Sequence, residues 1–377
     1  MPATSMNKVL ILTAALGGGH ESAGRAVRAE LENAGYAVVM ADGIREMSPT
    51  LDWLLVRGNR SLVTGIPGSL GAVFTMSSRR AGVASVKTLV GLLFADRLLR
   101  ILQEVRPALV ISTYPLVTSA LGQLRKDGRL GVPAITVVPD YGVHPLWVDP
   151  AIDLHLVVSE PSAVLVEKAG GTASVVRMPV APAFREAPPR EEARAMLGLP
   201  REGFMILVVG GAWGIGNLEE AARCTAESDA YTVVVTGNNN PLKRRLAAEF
   251  SCEEDVQILG WRDNLPVFMA AADCLIQNAG GMTCIEAIEG GLPILMFDPI
   301  RGLGEFNARI MEQAGAASWV RSADDLREIL RYASRGELSL CVPRVDPFIR
   351  TFYETIAPLI QDSSRPSVAQ HPSEQRE

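Results

Sequence analysis

The sequence predicts a two-domain α/β protein in which each domain has a doubly wound parallel sheet. Short apolar runs alternate with helical patterns in both halves of the chain, as in strand–helix–strand units. Each half also opens with a strand that runs directly into a glycine-rich loop and a helix. The length of 377 residues, of which 48% are hydrophobic, suffices for two cores of ordinary size. We therefore expect a ligand site in the cleft between the domains.

The N-terminal domain is predicted over residues 1–178. Residues 8–14 form a strand that runs into a glycine-rich loop ending at His20, followed by a helix over 21–33 and a strand over 36–40. The loop lacks G-x-G-x-x-G spacing, so a dinucleotide-binding fingerprint is a poor match. Further strands of this domain are predicted at 108–112, 134–138, 153–158 and 174–176.

Residues 50–106 are apolar, have a helical period and differ in charge from the rest of the chain. They carry eight basic and three acidic residues, whereas the whole chain has a net charge of −6. Basic and apolar residues together are typical of an amphipathic face that rests on an anionic membrane. The alternative is a helical hairpin that packs on the domain core and exposes a basic face to solvent.

The second half of the chain repeats the α/β rhythm. We predict a proline-rich linker over 179–200, a C-terminal domain over 201–342, a closing helix over 343–361 and a disordered tail over 362–377. The C-terminal domain opens with a strand and a loop that contains Gly211 and Gly214, which is either a diphosphate cradle or a tight turn. Its other strands are predicted at 231–236, 256–261, 273–276 and 294–297, with helices near 305–314 and 324–332.

Residues 273–307 join a buried strand to a glycine pair and then to a helix. In this arrangement backbone N–H groups can point at a phosphate, because glycines allow close approach and a helix N-terminus is partly positive. Thr283 is predicted to be the N-cap, with Glu286 at capping-box spacing. A carboxylate there repels phosphate, so Glu286 either binds ribose hydroxyls or caps the helix. The other interpretation is a plain α/β turn without a ligand.

Composition excludes several classes of function. The net charge of −6 argues against general nucleic-acid binding. Five cysteines occur without C-x-x-C spacing, so we expect reduced thiols in a cytosolic protein, with neither disulfides nor zinc. The N-terminus lacks a signal-peptide layout, and no segment reaches about 18 uninterrupted apolar residues, so no transmembrane helix is expected. The cysteines are Cys224, Cys252, Cys274, Cys284 and Cys341.

A series of segments in order along the chain resembles one protein family. The segments are GGGHESAG (17–24), PDYGVHPLW (139–147), VVGGAWGIGN (208–217), VVTGNN (234–239), LGWRDNLPVFMAAADCLIQNAGGMTCIEAIEGGLPIL (259–295) and GEFNARIMEQAGA (304–316). Together they resemble the monogalactosyldiacylglycerol synthase and diacylglycerol glucosyltransferase family, and more distantly the N-acetylglucosaminyltransferase that completes lipid II. The resemblance implies the GT-B fold and an inverting transferase that moves a hexose from a UDP-sugar to a lipid such as diacylglycerol. The sequence contains no Asp-x-Asp, which fits a metal-independent enzyme, and neither cofactor nor metal is expected.

The same resemblance assigns roles to individual residues. In the C-terminal domain, Glu286 matches a ribose-binding glutamate. The positions implied to bind the rest of the UDP-sugar are Gly211, Gly214, Gly280, Gly281, Met282 and Thr283 for the diphosphate, Trp261 and Arg262 for the uracil, and Glu305 and Asn307 for the sugar. The N-terminal domain would bind the acceptor through Gly18, Gly19, His144 and Trp147. Segment 50–106 would then dock on the anionic inner face of the cell membrane, which makes the protein cytoplasmic and peripherally attached.

The reaction needs a base for the acceptor hydroxyl and electrostatic relief for the departing diphosphate. A histidine has a pKa near neutrality, so His20 is the candidate base or acceptor-positioning residue, with Asp140 as its competitor or partner. His155 lies inside an apolar strand and is expected to be structural. Helix N-terminal amides and Arg262 can supply the electrostatic relief.

Three other functions fit parts of the sequence. One is a transferase that acts on a soluble small molecule. Another is a UDP-N-acetylglucosamine 2-epimerase, which shares the fold but leaves the basic apolar segment unexplained. The last is a catalytically inactive sensor of nucleotide sugars.

Overall fold

The computed structural model describes residues 8–15, 18–50, 53, 80–343 and 345–363. Its N-terminal domain is built on six parallel strands in the spatial order β2-β1-β3-β4-β5-β6. They are β1 (Lys8–Thr13), β2 (Ala37–Asp42), β3 (Leu109–Ser112), β4 (Ala134–Val137), β5 (Leu154–Val157) and β6 (Ala173–Val175). The four strands β1, β3, β4 and β5 are almost wholly buried, because helices cover both faces of the sheet.

The helices of this domain are α1 (Gly19–Asn33), α2 (Gly43–Met47), α3 (Arg80–Val105), α4 (Pro115–Lys126) and α5 (Glu160–Lys168), with a 3₁₀ turn over Pro145–Trp147. Helix α3 packs on α4, and its Leu98 is fully buried in a core shared with β1 and β3. Helix α3 confirms the helical period predicted for residues 80–105, while 51–52 and 54–79 lie outside the described residues. None of the helices in the described ranges combines the length and the apolar character needed to cross a bilayer.

The C-terminal domain has a second parallel sheet in the order β12-β11-β10-β7-β8-β9. Its strands are β7 (Phe204–Val209), β8 (Ala230–Val235), β9 (Val256–Leu259), β10 (Cys274–Gln277), β11 (Ile294–Phe297) and β12 (Ser318–Val320). Its helices are α8 (Leu218–Ala226), α9 (Asn240–Glu249), α10 (Leu265–Ala271), α11 (Met282–Glu289), α12 (Leu303–Gln313) and α13 (Ala323–Ser334). The predicted pair of doubly wound domains is thus confirmed.

The stretch predicted as a linker contains two helices, α6 (Pro182–Arg185) and α7 (Arg190–Leu197). Helix α7 packs on α10 of the C-terminal domain and is anchored by Arg194. The buried Arg194 guanidinium pairs with Asp273 at 2.7 Å and also donates to the carbonyls of Ala271, Arg201 and Gly203. Residues 190–197 therefore form part of the C-terminal domain's packing.

The last helix begins later than predicted and returns to the N-terminal domain. Helix α14 spans Phe352–Ser363, and residues 345–351 before it form a turn and a bend, so the start predicted at 343 is wrong by nine residues. The amide of Tyr353 donates to Glu30 of α1, and Phe352 is fully buried. Arg177 donates its backbone N–H to the carbonyl of Arg350, so the outgoing and returning crossings between the domains run side by side. The predicted tail beyond residue 363 lies outside the described residues.

Each sheet has a topological switch point, where successive strands of the chain begin to be added on the opposite side of the first strand. In the N-terminal sheet the reversal lies between β1 and β3, and in the C-terminal sheet between β7 and β10. Ligands of open parallel sheets bind beyond the carboxyl ends of the strands at such switch points, because the loops there diverge. The two glycine-rich loops follow β1 and β7, so the topology brings both to the same cleft.

Candidate active site

The first loop of the N-terminal domain meets the glycine-rich loop of the C-terminal domain directly. Gly18 has a left-handed φ of +82°, and a Cβ there would lie 3.2 Å from the Cβ of Ala212. Gly19 starts α1, and a Cβ at this position would have no neighbour within 4 Å. Of these two positions, packing therefore requires a glycine only at Gly18. Helix α1 thus begins two residues earlier than predicted, and His20 lies in its first turn.

His20 is packed among aromatic rings. Its ring lies edge-on to Tyr114 at 5.0 Å and tilted against Trp147 at 5.6 Å. Burial lowers the pKa of His20 to about 4, and an interaction of the ring with the Thr113 backbone opposes the shift. The Nδ1 atom is buried and makes no hydrogen bond to the protein. His20 is therefore a neutral imidazole at physiological pH.

Two of the predicted acceptor residues have structural contacts. The Nδ1 atom of His144 accepts the amide of Leu146 at 3.2 Å and so caps the 3₁₀ turn. Trp147 is buried in a small core with Val138 and Val157 while its ring supports His20. The prediction that His155 is structural is confirmed, since its Nε2 accepts the amide of Asp149 inside the domain.

The two glycines predicted to cradle a diphosphate differ in their surroundings. A Cβ on Gly214 would lie 2.1 Å from the Thr236 carbonyl oxygen, so this glycine is required by packing against the loop after β8. Gly211 has a positive φ and no neighbour within 4 Å of such a Cβ. Asn278, at the end of β10, donates to the Ile215 carbonyl at 2.7 Å and ties this loop to the switch point.

Helix α11 begins at Met282 with Gly281 as its N-cap, so the predicted capping box of Thr283 with Glu286 is wrong. Gly280 adopts φ +77°, which turns the chain into the helix before Thr283 is reached. The amides of Cys284 and Ile285 donate to the Gly281 carbonyl. Those of Ala279 and Gly280 donate to the Gln277 side chain. The amides left to face a ligand belong to Gly281, Met282 and Thr283. Gly280 was also predicted to bind the diphosphate, but its amide donates to Gln277 instead.

Glu286 projects from the middle of α11 toward the N-terminal domain. Its Oε1 accepts the hydroxyl of Ser22, in the first turn of α1, at 3.1 Å. Burial raises the pKa of Glu286 to about 7, while the Ser22 hydrogen bond and the Arg25 charge lower it. A carboxylate with this pKa is half ionised near neutrality and can accept hydroxyl donors.

Asp140 and Asn307 meet across the domain interface. The Asn307 amide nitrogen donates to Asp140 Oδ1 at 3.3 Å, and a Cβ on Gly281 would lie 3.4 Å from the same oxygen. Asp140 therefore lies at the N-terminus of α11. Burial raises the pKa of Asp140 to about 6, and the Asn307 hydrogen bond lowers it.

The remaining predicted residues lie at the edges of the site. Glu305 accepts the Gly302 amide at 3.1 Å and caps α12. Trp261 is 48% exposed, and its indole nitrogen donates to Asp263 at 2.8 Å. Arg262 follows in the same exposed loop. This exposed ring is available for stacking on a planar group.

Sequence reasoning missed the polar residues that join the predicted ones. Ser22 contacts Glu286, Gln277 occupies two loop amides and Asn278 fixes the glycine-rich loop. Ser22 lies two positions after His20 in the first loop motif, which is the signal that could have marked it. Among the described residues, no group of three His, Cys, Asp or Glu side chains is arranged to hold a metal ion, and all five cysteines are free thiols.

Two sequence models of known families match successive parts of the chain. Residues 20–178 match monogalactosyldiacylglycerol synthase, and residues 190–337 match glycosyl transferases group 1. The processive diacylglycerol beta-glucosyltransferase of Bacillus subtilis is 28% identical over 238 residues, so the match spans 62% of each chain, less than two thirds of that relative. Its counterpart in Bacillus pumilus is 25% identical over 333 residues, or 85% of each chain.

Solved structures confirm the fold. MurG of Acinetobacter baumannii superimposes with a TM-score of 0.58 at 15% identity and covers 94% of this chain and 99% of its own. HepE of Anabaena in complex with UDP-glucose gives a TM-score of 0.50 at 16% identity, over 86% and 88% of the two chains. With the order of the motifs, these matches identify the chain as a glycosyltransferase with the GT-B fold, whose N-terminal part carries a monogalactosyldiacylglycerol synthase domain and whose C-terminal part carries a group 1 glycosyl transferase domain.

Proposed function

We propose that the protein transfers a hexose from a UDP-sugar to diacylglycerol or a similar lipid, with inversion and without a metal. The observation that carries this proposal is the position of α11 in the cleft. Its open N-terminus adjoins Asp140, and Glu286, one turn further on, adjoins Ser22 of α1. One short helix thus presents an anion site and a hydroxyl acceptor side by side, the two groups that a nucleoside diphosphate requires.

The donor would bind along the carboxyl edge of the C-terminal sheet. The amides of Gly281, Met282 and Thr283 would take the diphosphate, and Glu286 the ribose hydroxyls. Trp261 would stack on the uracil, which its exposed ring permits. The HepE neighbour holds UDP-glucose on the same fold, which supports a UDP-sugar as the donor.

The chemical step is a single displacement. The acceptor oxygen forms a bond to the anomeric carbon while the bond from that carbon to the diphosphate oxygen breaks on the opposite face. The hydroxyl proton passes to a base, and the charge that develops on UDP is stabilised by the N-terminal amides of α11. Asp140 is the better base, because its pKa of about 6 leaves it mostly ionised at pH 7 and still basic. His20, with a pKa of about 4, is a weak base and would orient the acceptor as a neutral ring.

Helix α3 supports a lipid as the acceptor. Leu89, Leu92 and Leu93 are 57%, 74% and 56% exposed on its outer face. The basic residue Arg100 is exposed on the same helix. Apolar side chains beside basic ones suit the headgroup boundary of an anionic membrane. We infer that the protein attaches peripherally to the cytoplasmic face of the cell membrane through this helix.

The test is UDP release by the purified protein. UDP-glucose, UDP-galactose and UDP-N-acetylglucosamine are each supplied with and without diacylglycerol in anionic liposomes. Release that depends on the lipid is expected with one hexose donor, and it identifies that donor. UDP binding without release from any pair would instead mean a soluble acceptor or a sensor, and would contradict the lipid assignment.

A further inference from the structure

Asn307 is a fully buried side chain of α12 that lies between the two domains. Its Oδ1 accepts the amide of Gly142, in the N-terminal domain, at 2.6 Å. Its Nδ2 donates to the Ala279 carbonyl at 2.8 Å and to Asp140 Oδ1 at 3.3 Å. Both N–H groups and the oxygen of this amide are thus used by protein partners, as a buried amide requires.

Two glycines, one from each domain, make room for this contact. A Cβ on Gly142 would lie 2.6 Å from the Phe306 ring and 3.0 Å from Asn307 Oδ1. A Cβ on Gly280 would lie 2.6 Å from the Asn307 Cβ. Helix α12 can therefore approach the loops of both domains only because positions 142 and 280 have no side chain. Asn307 fills the space that these two glycines leave.

We propose that Asn307 is a positioning residue that holds the Asp140 carboxyl group at the N-terminus of α11 across the domain interface. This proposal rests on the proposed function, in which Asp140 is the base. It differs from the role that family resemblance implies for Asn307, which is direct contact with the sugar. All three hydrogen bonds of the side chain go to protein groups and none of its surface is exposed, so the structure favours positioning.

The hydrogen bond also favours the charged form of Asp140. Donation from Asn307 opposes the increase in pKa that burial causes. Among the residues that the structure describes, the Cys284 thiol of α11 also faces Asp140, and burial keeps this thiol neutral by raising its pKa. Removal of the Asn307 donor therefore raises the pKa of Asp140 and frees its carboxyl group to rotate.

The test compares Asn307→Ala, Asn307→Asp and Gly142→Ala with the wild type. Asn307→Asp keeps the shape but replaces the donor with a second carboxylate, and Gly142→Ala displaces the amide without altering it. Asn33→Asp is the control, because it makes the same charge change at an exposed site at the end of α1. The measurements are kcat/KM for the lipid acceptor from pH 5 to 9 and calorimetric Kd values for UDP and UDP-glucose. The donor is kept saturating in the kinetic series, so that the titration of Glu286 in an empty donor site does not enter the pH profile.

In the wild type we expect kcat/KM to fall below about pH 6, and Asp140→Asn to abolish this acid limb. In Asn307→Ala we expect the midpoint of the acid limb to move to higher pH by about one unit. In Asn307→Asp it moves further, because repulsion between the two carboxylates adds to the loss of the hydrogen-bond donor. Gly142→Ala moves it in the same direction. In all three variants the ratio of the Kd values for UDP-glucose and UDP stays within about threefold of the wild-type ratio. The control Asn33→Asp changes neither the position of the acid limb nor this ratio.

Three results would overturn the proposal, and they differ from one another. An unmoved limb with UDP-glucose binding weakened tenfold and UDP binding intact assigns Asn307 to the sugar. A limb that persists in Asp140→Asn removes Asp140 as the base and the positioning role with it, while UDP binding still supports the donor site. No binding of UDP by the wild type contradicts the proposed function itself. If Asn307→Ala unfolds, the isosteric Asn307→Asp and Gly142→Ala give the same comparison.

Discussion

In the part of the cleft that the structure describes, burial shifts the pKa of Glu286, Asp140 and His20 in the direction that favours the neutral form of each. The pKa of Glu286 is raised to about 7 and that of Asp140 to about 6. At a pH between the unfolded and the folded pKa of each group, the folded state therefore holds more protons than the unfolded state. Stability therefore falls as pH rises through that window. His20 has the opposite effect, since its pKa of about 4 makes stability rise with pH up to 6.5. Above pH 7 only the cost of the two buried carboxylates remains.

Glu286→Gln is expected to stabilise the folded protein and to weaken its binding of UDP. At pH 8 the change removes a buried carboxylate, keeps an oxygen for Ser22 and raises the free energy of unfolding by about 1–3 kcal/mol. UDP binding weakens about tenfold or more, because an amide is a poorer acceptor for ribose hydroxyls. Urea unfolding at pH 8 and calorimetry with UDP measure the two effects.

The control lies one turn along the same helix. Glu289 pairs with Arg177 and Arg185, so Glu289→Gln is expected to destabilise the protein. Equal stability changes in the two variants would contradict the assignment of different roles to the two carboxylates.

At the scale of elements, apolar runs predicted most strands because the strands are buried on both faces. Helix α4 was not predicted: α3 and the sheet enclose it, so its buried residues run almost continuously from Val117 to Leu124 and include the polar Thr118 and Ser119, which interrupt the apolar pattern in the sequence. The predicted site residues converge on the cleft, but their partners were not predictable. Ser22 and Glu286 are 264 positions apart, and Asp140 and Asn307 are 167 apart.

Helix α7 offers a matched pair of arginines that share one partner. Arg194 and Arg190 both pair with Asp273, but the Arg194 side chain is 1% exposed and that of Arg190 is 51% exposed. Arg194→Ala leaves buried carbonyls and a carboxylate unpaired and is expected to cost about 3–5 kcal/mol. Arg190→Ala is expected to cost less than about 1 kcal/mol. Urea unfolding measures both, and similar costs would mean that α7 is not anchored through Arg194.

Helix α3 can be tested through its exposed leucines. Leu92→Glu is expected to weaken flotation with anionic liposomes about tenfold, because each inserted leucine contributes at least about 1.5 kcal/mol. Met196→Glu is the control, since Met196 is 63% exposed but lies on α7. Equal losses in both variants, or no binding by the wild type at low salt, would remove the membrane role of α3.

At the scale of the whole molecule, α14 joins the end of the chain to the N-terminal domain. Phe352 is fully buried there, whereas Phe348, four residues earlier, is 92% exposed. Phe352→Ala is expected to cost about 3–5 kcal/mol, and Phe348→Ala less than about 0.5 kcal/mol. Thermal unfolding of the two variants makes the comparison, and an unchanged midpoint in Phe352→Ala would show that α14 does not stabilise the folded state.

The paired crossings between the domains have a mechanical consequence. The chain leaves the N-terminal domain at Arg177 and returns beside it at Arg350, and the backbones of the two are hydrogen-bonded. Two crossings that are hydrogen-bonded to each other restrain the domains against twisting and sliding. The backbone thereby holds the alignment in which Ser22 contacts Glu286 and Asp140 contacts Asn307.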